Sequence, residues 1–194
     1  MKLEVCIISR EIIKPSSSTP NHLRIYKLSP IDQLNLNFFL PFTLFYSRAP
    51  KNSDHLKKSL SKILTYFYTF AGRVKADNFI DCDDYGVPFV EARVAGDMSE
   101  LVHIKNPEID LLQQLLPYKP LDEQMSKTRF NFAAQINYFE CGGVAISFCV
   151  GHFVADAATA AHFIKSWATV ACDCDDDDDL IKEDISLSPP HKIF

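Results

Sequence analysis

The spacing of apolar residues changes several times along the chain, and each change marks an expected element. Leu3 to Ile13 reads as a strand, and Pro15-Ser16-Ser17-Ser18-Thr19-Pro20 follows as a rigid polar connector. Leu23 to Leu28 alternates as a second short strand, after which Pro30 and Asp32 punctuate. Phe38 to Tyr46 is a third extended segment, and Pro41, which has no N–H to give a ladder, assigns it to a sheet edge or a bulge.

A helical period begins after Asn52-Ser53, whose short polar side chains can cap orphan amides. Leu56, Leu60, Ile63, Leu64 and Phe67 form one apolar stripe, and Lys57, Lys58, Ser61 and Lys62 form the face expected to meet water. Ala71-Gly72-Arg73-Val74 starts the next extended piece. Asp81 to Val94 reads as two short strands around a turn at Asp83-Asp84-Tyr85-Gly86, and Glu108 to Leu116 as a short helix stopped by Pro117.

A second hairpin is clearer. Phe130, Phe132, Ala134, Ile136 and Tyr138 alternate with the polar Asn131, Gln135 and Asn137, Cys141-Gly142-Gly143 turns, and Val144 to Val150 is a nearly continuous apolar strand. From Asp156 the period is helical again. Ala157, Ala160, Ala161, Ile164, Trp167, Ala168 and Ala171 make the expected buried stripe, opposite His162, Lys165, Ser166 and Thr169. The chain therefore reads as one folding unit over residues 1–172, followed by an acidic, Pro-containing linker over 173–194.

Composition narrows the classes. Across 194 residues, 47% are hydrophobic and 23% charged, which fits a globular domain and excludes collagen-like and disordered chains. The formal charge is −5, but Asp173 and Asp175 to Asp179 supply six acidic charges, more than the whole excess, so the body of the chain is nearly neutral. Clustered Lys and Arg are lacking, so neither a nucleic-acid nor a membrane-surface partner is expected. The most apolar stretch, Val144 to Phe163, is interrupted by His152 and Asp156, so no spanning helix is expected either. The start Met-Lys-Leu-Glu-Val-Cys lacks the pattern of a secretory signal, so a cytoplasmic protein with reduced cysteines is expected. Cys172 and Cys174 supply two sulfurs where a tight metal site needs four ligands, and no metal is expected.

Gly151-His152-Phe153-Val154-Ala155-Asp156 joins the apolar strand to the last helix. Side chains at such a junction project from a rigid sheet edge. Imidazole titrates near neutrality, so His152 is placed to act as a general base, and the alternative is a core histidine with its bonds satisfied. Asp156 can cap the helix or hold the segment through an ion pair.

His152-x-x-x-Asp156 resembles the motif of the plant BAHD acyl-CoA-dependent acyltransferases, and it lies after a strand and before a helix, as in that family. Ordered segments strengthen the resemblance: Pro15-Ser16 with Thr19-Pro20, Leu28 to Leu34, Leu56 to Val74, Ile80 to Val94, and Phe139-Glu140-Cys141-Gly142-Gly143 are similar to the alkaloid-acylating branch.

The resemblance implies an α/β fold, a chloramphenicol-acetyltransferase-like mixed sheet with flanking helices, forming one half of a two-domain architecture. It implies His152 as the base that deprotonates an acceptor hydroxyl or amine, with Asp156 in a structural role, pairing with an arginine further along. No bound cofactor or metal is implied. Acyl-CoA, with acetyl-CoA as the expected donor, would be the co-substrate, and the acceptor a plant specialised metabolite, an alkaloid by branch. Arg73 occupies a family-typical place and is expected to be a structural ion-pair residue. Nothing in the chain matches the family's Asp-Phe-Gly-Trp-Gly signature, since Trp167 is the lone Trp, between Ser166 and Ala168. The expectation is an N-terminal half, with a truncated non-catalytic module or one chain of a split enzyme as alternatives. Such a half would pair with a C-terminal-half chain or self-associate.

Overall fold

The computed structural model describes residues 3–35, 38–48, 53–76, 78–102, 109–118 and 130–172. The expected cap residue Asn52, the helix start at Glu108, and the acidic segment 173–194 with Cys174 lie outside them. Among the described residues, eight strands form two sheets: β1 (Glu4–Ile13), β2 (Ile25–Lys27), β3 (Phe39–Tyr46), β4 (Arg73–Lys75), β5 (Phe79–Asp81), β6 (Val87–Ala95), β7 (Phe132–Phe139) and β8 (Val144–Gly151). The larger sheet has the order β1-β6-β7-β8-β3, and the smaller one β2-β5-β4. Only β6 and β7 run parallel in the larger sheet, so it is mixed. β3 sits at its edge, where Pro41 costs no ladder bond on its outer side.

Helices α1 (Pro30–Leu34), α2 (Ser53–Tyr66), α3 (Ser99–Val102), α4 (Ile109–Gln113) and α5 (Ala157–Cys172) complete the described elements, with a 3-10 turn at Tyr68–Ala71 after α2. Among the described residues, no helix is long and apolar enough to cross a membrane. α1 stands where the sequence shows only punctuation. Ser29 accepts from the Asp32 amide while Asp32 accepts from the Ser29 amide, a reciprocal capping box with Pro30 at the first turn.

α2 and α5 cover one face of the large sheet. Leu60, Ile63, Leu64, Phe70, Phe89, Phe132, Phe148, Phe163 and Trp167 share that core. Phe163 stacks on Phe70 with centroids 4.5 Å apart, and the Trp167 indole N–H is held by the Leu56 carbonyl at 3.2 Å and the Ser59 hydroxyl at 2.9 Å. The opposite face carries the small sheet over Ala133, Cys149 and Phe153, and α3 and α4 over Phe139 and Ala145.

Two expectations are corrected. α5 does not turn its alanine stripe inward: Phe163, Ser166, Trp167 and Val170 are buried with Ala160, while Ala157, Ala161 and Ala168 are exposed. Burying a large side chain is worth ~1.5–3 kcal/mol, a methyl less than ~1, so Phe163 and Trp167 set the rotation of the helix. Secondly, the strands on either side of Asp83–Gly86 are not a hairpin, because β5 belongs to the small sheet and β6 to the large one. The segment crosses between sheets, and its carboxylates are taken up on the way: Asp83 by Arg73, and Asp84 by the Thr19 amide at 3.0 Å, the Thr19 hydroxyl at 2.5 Å and Arg24 at 3.6 Å. Gly86, at φ +96°, completes the crossing with its N–H on the Ala71 carbonyl. Asn131, Gln135 and Asn137, the polar positions of the clearer hairpin, lie in the interior. All three are buried, and Asn137 donates to the Leu115 carbonyl at 2.9 Å.

Lys57 also departs from the wet face assigned to it. Its ammonium lies 2.6 Å from Glu11 and 2.7 Å from Glu91, linking α2 to β1 and β6.

Candidate active site

β8 ends at one extremity of the large sheet, and the chain turns there into α5. Gly151 makes the turn possible. A Cβ on it would fall 2.5 Å from the Phe153 ring, which is buried edge-on against Phe39, so a side chain at 151 and Phe153 in its place are incompatible. The Gly151 carbonyl accepts from Val154 at 3.0 Å and Ala155 at 3.2 Å, closing the loop.

His152 is half-buried on this turn. Its main-chain N–H donates to the Phe38 carbonyl at 2.8 Å, extending the β8–β3 pairing by one residue. The Phe38 ring, half exposed itself, is tilted beside the imidazole at 5.7 Å. α1 delivers Phe38 to this position, because the Phe38 amide is held by the Asn35 carbonyl at 2.9 Å. The histidine thus has a fixed main chain, an aromatic wall on one side and an accessible ring.

Asp156 stands at the start of α5. Its carboxylate accepts the Thr159 amide at 2.7 Å, and its carbonyl starts the helical ladder by accepting from Ala160. Hydrogen bonds from Thr159 hold the carboxyl below the usual carboxylate range, with a smaller contribution from the charge of His152. Asp156 is therefore a helix cap close to the imidazole. Among the described residues, no arginine forms an ion pair with Asp156.

Arg73 is not at the imidazole. Its guanidinium pairs with Asp83 and lies over the Tyr85 ring at 3.8 Å, a structural ion pair fastening the inter-sheet crossing. The cysteines do not contribute a nucleophile from the core, since burial pushes the thiols of Cys82 and Cys149 up to about 12. Among the described residues, no cluster of His, Cys, Asp or Glu could hold a metal ion. A groove of about 300 Å³ between β3, β8 and α5, lined by Leu44, Tyr46, Ile146 and Trp167, lies toward the other end of β8, and His152 does not line it.

Two side chains of the turn's surroundings carry no mark in the sequence pattern. Phe38 reads as an ordinary strand start, and Asn131 as one of three polar alternates on β7. A polar residue flanked by Phe130 and Phe132 is the one local sign that Asn131 sits somewhere unusual.

The Transferase family model matches residues 3–190. A limonoid 21-O-acetyltransferase from Citrus sinensis is 50% identical over 98% of this chain and 45% of its own length. Vinorine synthase from Rauvolfia serpentina is 38% identical over 95% of the chain and 45% of its length, and its crystal structure superposes with a TM-score of 0.76 over 87% of this chain and 43% of that one. The F. graminearum TRI101 complex with coenzyme A and T-2 mycotoxin, 14% identical, shares the fold with a TM-score of 0.58 over 81% of this chain and 41% of that one. The chain spans about half the length of the curated relatives it matches.

Proposed function

Because the chain belongs to the BAHD transferase family, we propose that it carries the general base of an acyl-CoA-dependent acyltransferase, with His152 as that base. The acceptor would be a hydroxyl or amine of a plant specialised metabolite. His152 Nε2 or Nδ1 takes the proton as the acceptor atom attacks the thioester carbonyl. The tetrahedral oxyanion then collapses, the C–S bond breaks, and CoA leaves as a thiolate that recovers the proton from the imidazolium. Base catalysis of this kind is worth about 10²–10⁴-fold.

The observation that carries the reading is the placement of His152, a half-buried imidazole on a turn pinned at Phe38 and Gly151 at the open end of a rigid sheet. Asp156 serves it indirectly, by capping α5 and so closing the same turn. Acetyl is the acyl group we favour, because relatives at 50% and 40% identity are named as a limonoid and a stemmadenine O-acetyltransferase. The identity is higher to the limonoid enzymes than to vinorine synthase at 38%, which favours a terpenoid hydroxyl over the alkaloid acceptor implied by branch. Acetyl-CoA and the acceptor would also be held by surfaces from a further segment or a paired chain.

The test is release of free CoA from acetyl-CoA, with a limonoid alcohol as acceptor, by the chain alone and by the chain co-expressed with the C-terminal half of a limonoid acetyltransferase. Turnover that is lost in His152→Ala supports the proposal. Turnover that survives this substitution, or no turnover in either arrangement, overturns it.

A further inference from the structure

We propose that Asn131 is a positioning residue for His152, an assignment that rests on the reading of His152 as the base. Asn131 immediately precedes β7 and is fully buried. It fastens two separate parts of the chain. Its main-chain carbonyl accepts the N–H of Gly151, the residue before the histidine, at 2.9 Å. Its side-chain amide donates to the Thr69 carbonyl at 2.7 Å, in the buried 3-10 turn that follows α2.

The end of β8 is therefore framed on both sides. Asn131, just before β7, grips Gly151, and Phe38, just before β3, grips His152. On the Phe38 side the contact is backbone continuing a regular ladder. On the Asn131 side the ladder is at its last pair, and the side chain ties the start of β7 to the 3-10 turn. Phe70, in that turn, stacks on Phe163 of α5. A displacement on the order of 1 Å at a catalytic group can cost about 10²-fold in rate, so this anchoring bears on chemistry as well as on stability.

Among the described residues, the buried Asn131 Oδ1 meets no hydrogen-bond donor, so the tie made by the side chain is the bond from its amide N–H to the Thr69 carbonyl. A serine at 131 keeps a donor on a shorter side chain, and an alanine keeps none.

The experiment uses the 194-residue chain and requires no turnover. Hydrogen exchange and the NMR contact between the Phe38 and His152 rings, 5.7 Å apart, are compared for wild type, Asn131→Ala and Asn131→Ser. The expected result for Asn131→Ala is faster exchange at Gly151 and His152, by about 10-fold more than at Ile136 and Ile146 in the strand centres, together with displaced His152 ring chemical shifts and a weakened ring–ring contact. Asn131→Ser, which retains a donor, should recover part of both. Equal acceleration at all four amides, or His152 ring signals that superpose on wild type, would overturn the proposal. If Asn131→Ala does not fold, the serine variant carries the same comparison with the same criteria. Failure of the base reading would appear separately, as turnover that survives His152→Ala.

Discussion

Gly151→Ala measures how tightly the turn that presents His152 is built. A Cβ at 151 would lie 2.5 and 2.6 Å from two Phe153 ring carbons, where ordinary contacts begin near 3.4 Å, so the ring must retreat by close to 1 Å. Phe153 has little room for that, being buried among Leu28, Val74 and Ile80 and packed edge-on against Phe39 at 5.9 Å. Overpacking of this kind costs about 1–3 kcal/mol, and the expected loss here is about 2–3. The assay is urea denaturation of the single variants Gly151→Ala and Phe153→Leu and of the double variant. Phe153→Leu alone should cost about 1–2 kcal/mol in lost apolar burial. In the double variant the clash is gone, so the two costs should fall short of additivity by at least about 1 kcal/mol. Additive costs would show that Phe153 is not what the glycine accommodates, and the account of the turn would fail.

Trp167→Phe should destabilise by about 1–3 kcal/mol, because the Ser59 hydroxyl and Leu56 carbonyl lose the indole N–H in a buried setting, as read by thermal or chemical unfolding. Asp156→Ala should cost about 1 kcal/mol of stability through the lost cap on α5. The folded carboxyl of Asp156 is held below its unfolded value near 3.9, so its contribution is present above about pH 4 and fades as pH falls through the lower folded value. Stability curves of Asp156→Asn and wild type should therefore converge in acid. Lys57→Met should weaken the β1–α2–β6 tie. Burial alone would raise the Glu91 carboxyl, and hydrogen bonds from Lys57 and its neighbours hold it below its ordinary value, so an NMR titration of Glu91 should move upward in the variant.

Much of the architecture was legible in the order of periodicities. The apolar run Val144 to Val150 becomes β8, the Gly142 turn lies where the hairpin needs it, and Pro41 sits in the edge strand β3. The fold class agrees with a mixed sheet and flanking helices, and with the superposition on vinorine synthase. What local pattern does not carry is the choice among partners distant in sequence. Phe79–Asp81 and Val87–Ala95 have the look of a hairpin, but Tyr26 pairs with Ile80 and Val5 with Val94, and those partners send the two strands to different sheets. The buried state of Asn137 depends on a carbonyl 22 residues earlier in the chain, at Leu115. Alanine counting misplaced the α5 stripe because periodicity weighs a methyl and an indole alike, whereas packing does not. The strand-to-helix setting of His152 and Asp156 was readable; the parts played by Phe38 and Gly151 in holding the histidine follow from three-dimensional contacts alone.

A proton moved by His152 in acyl transfer would show in initial rates of acetyl-CoA consumption by the co-expressed assembly, comparing wild type, His152→Ala and Asp156→Ala at saturating acetyl-CoA. The expected result is a fall of at least about 10²-fold in kcat for His152→Ala, and a smaller fall for Asp156→Ala that tracks its loss of stability. A His152→Ala variant that is folded and retains the wild-type kcat would contradict it.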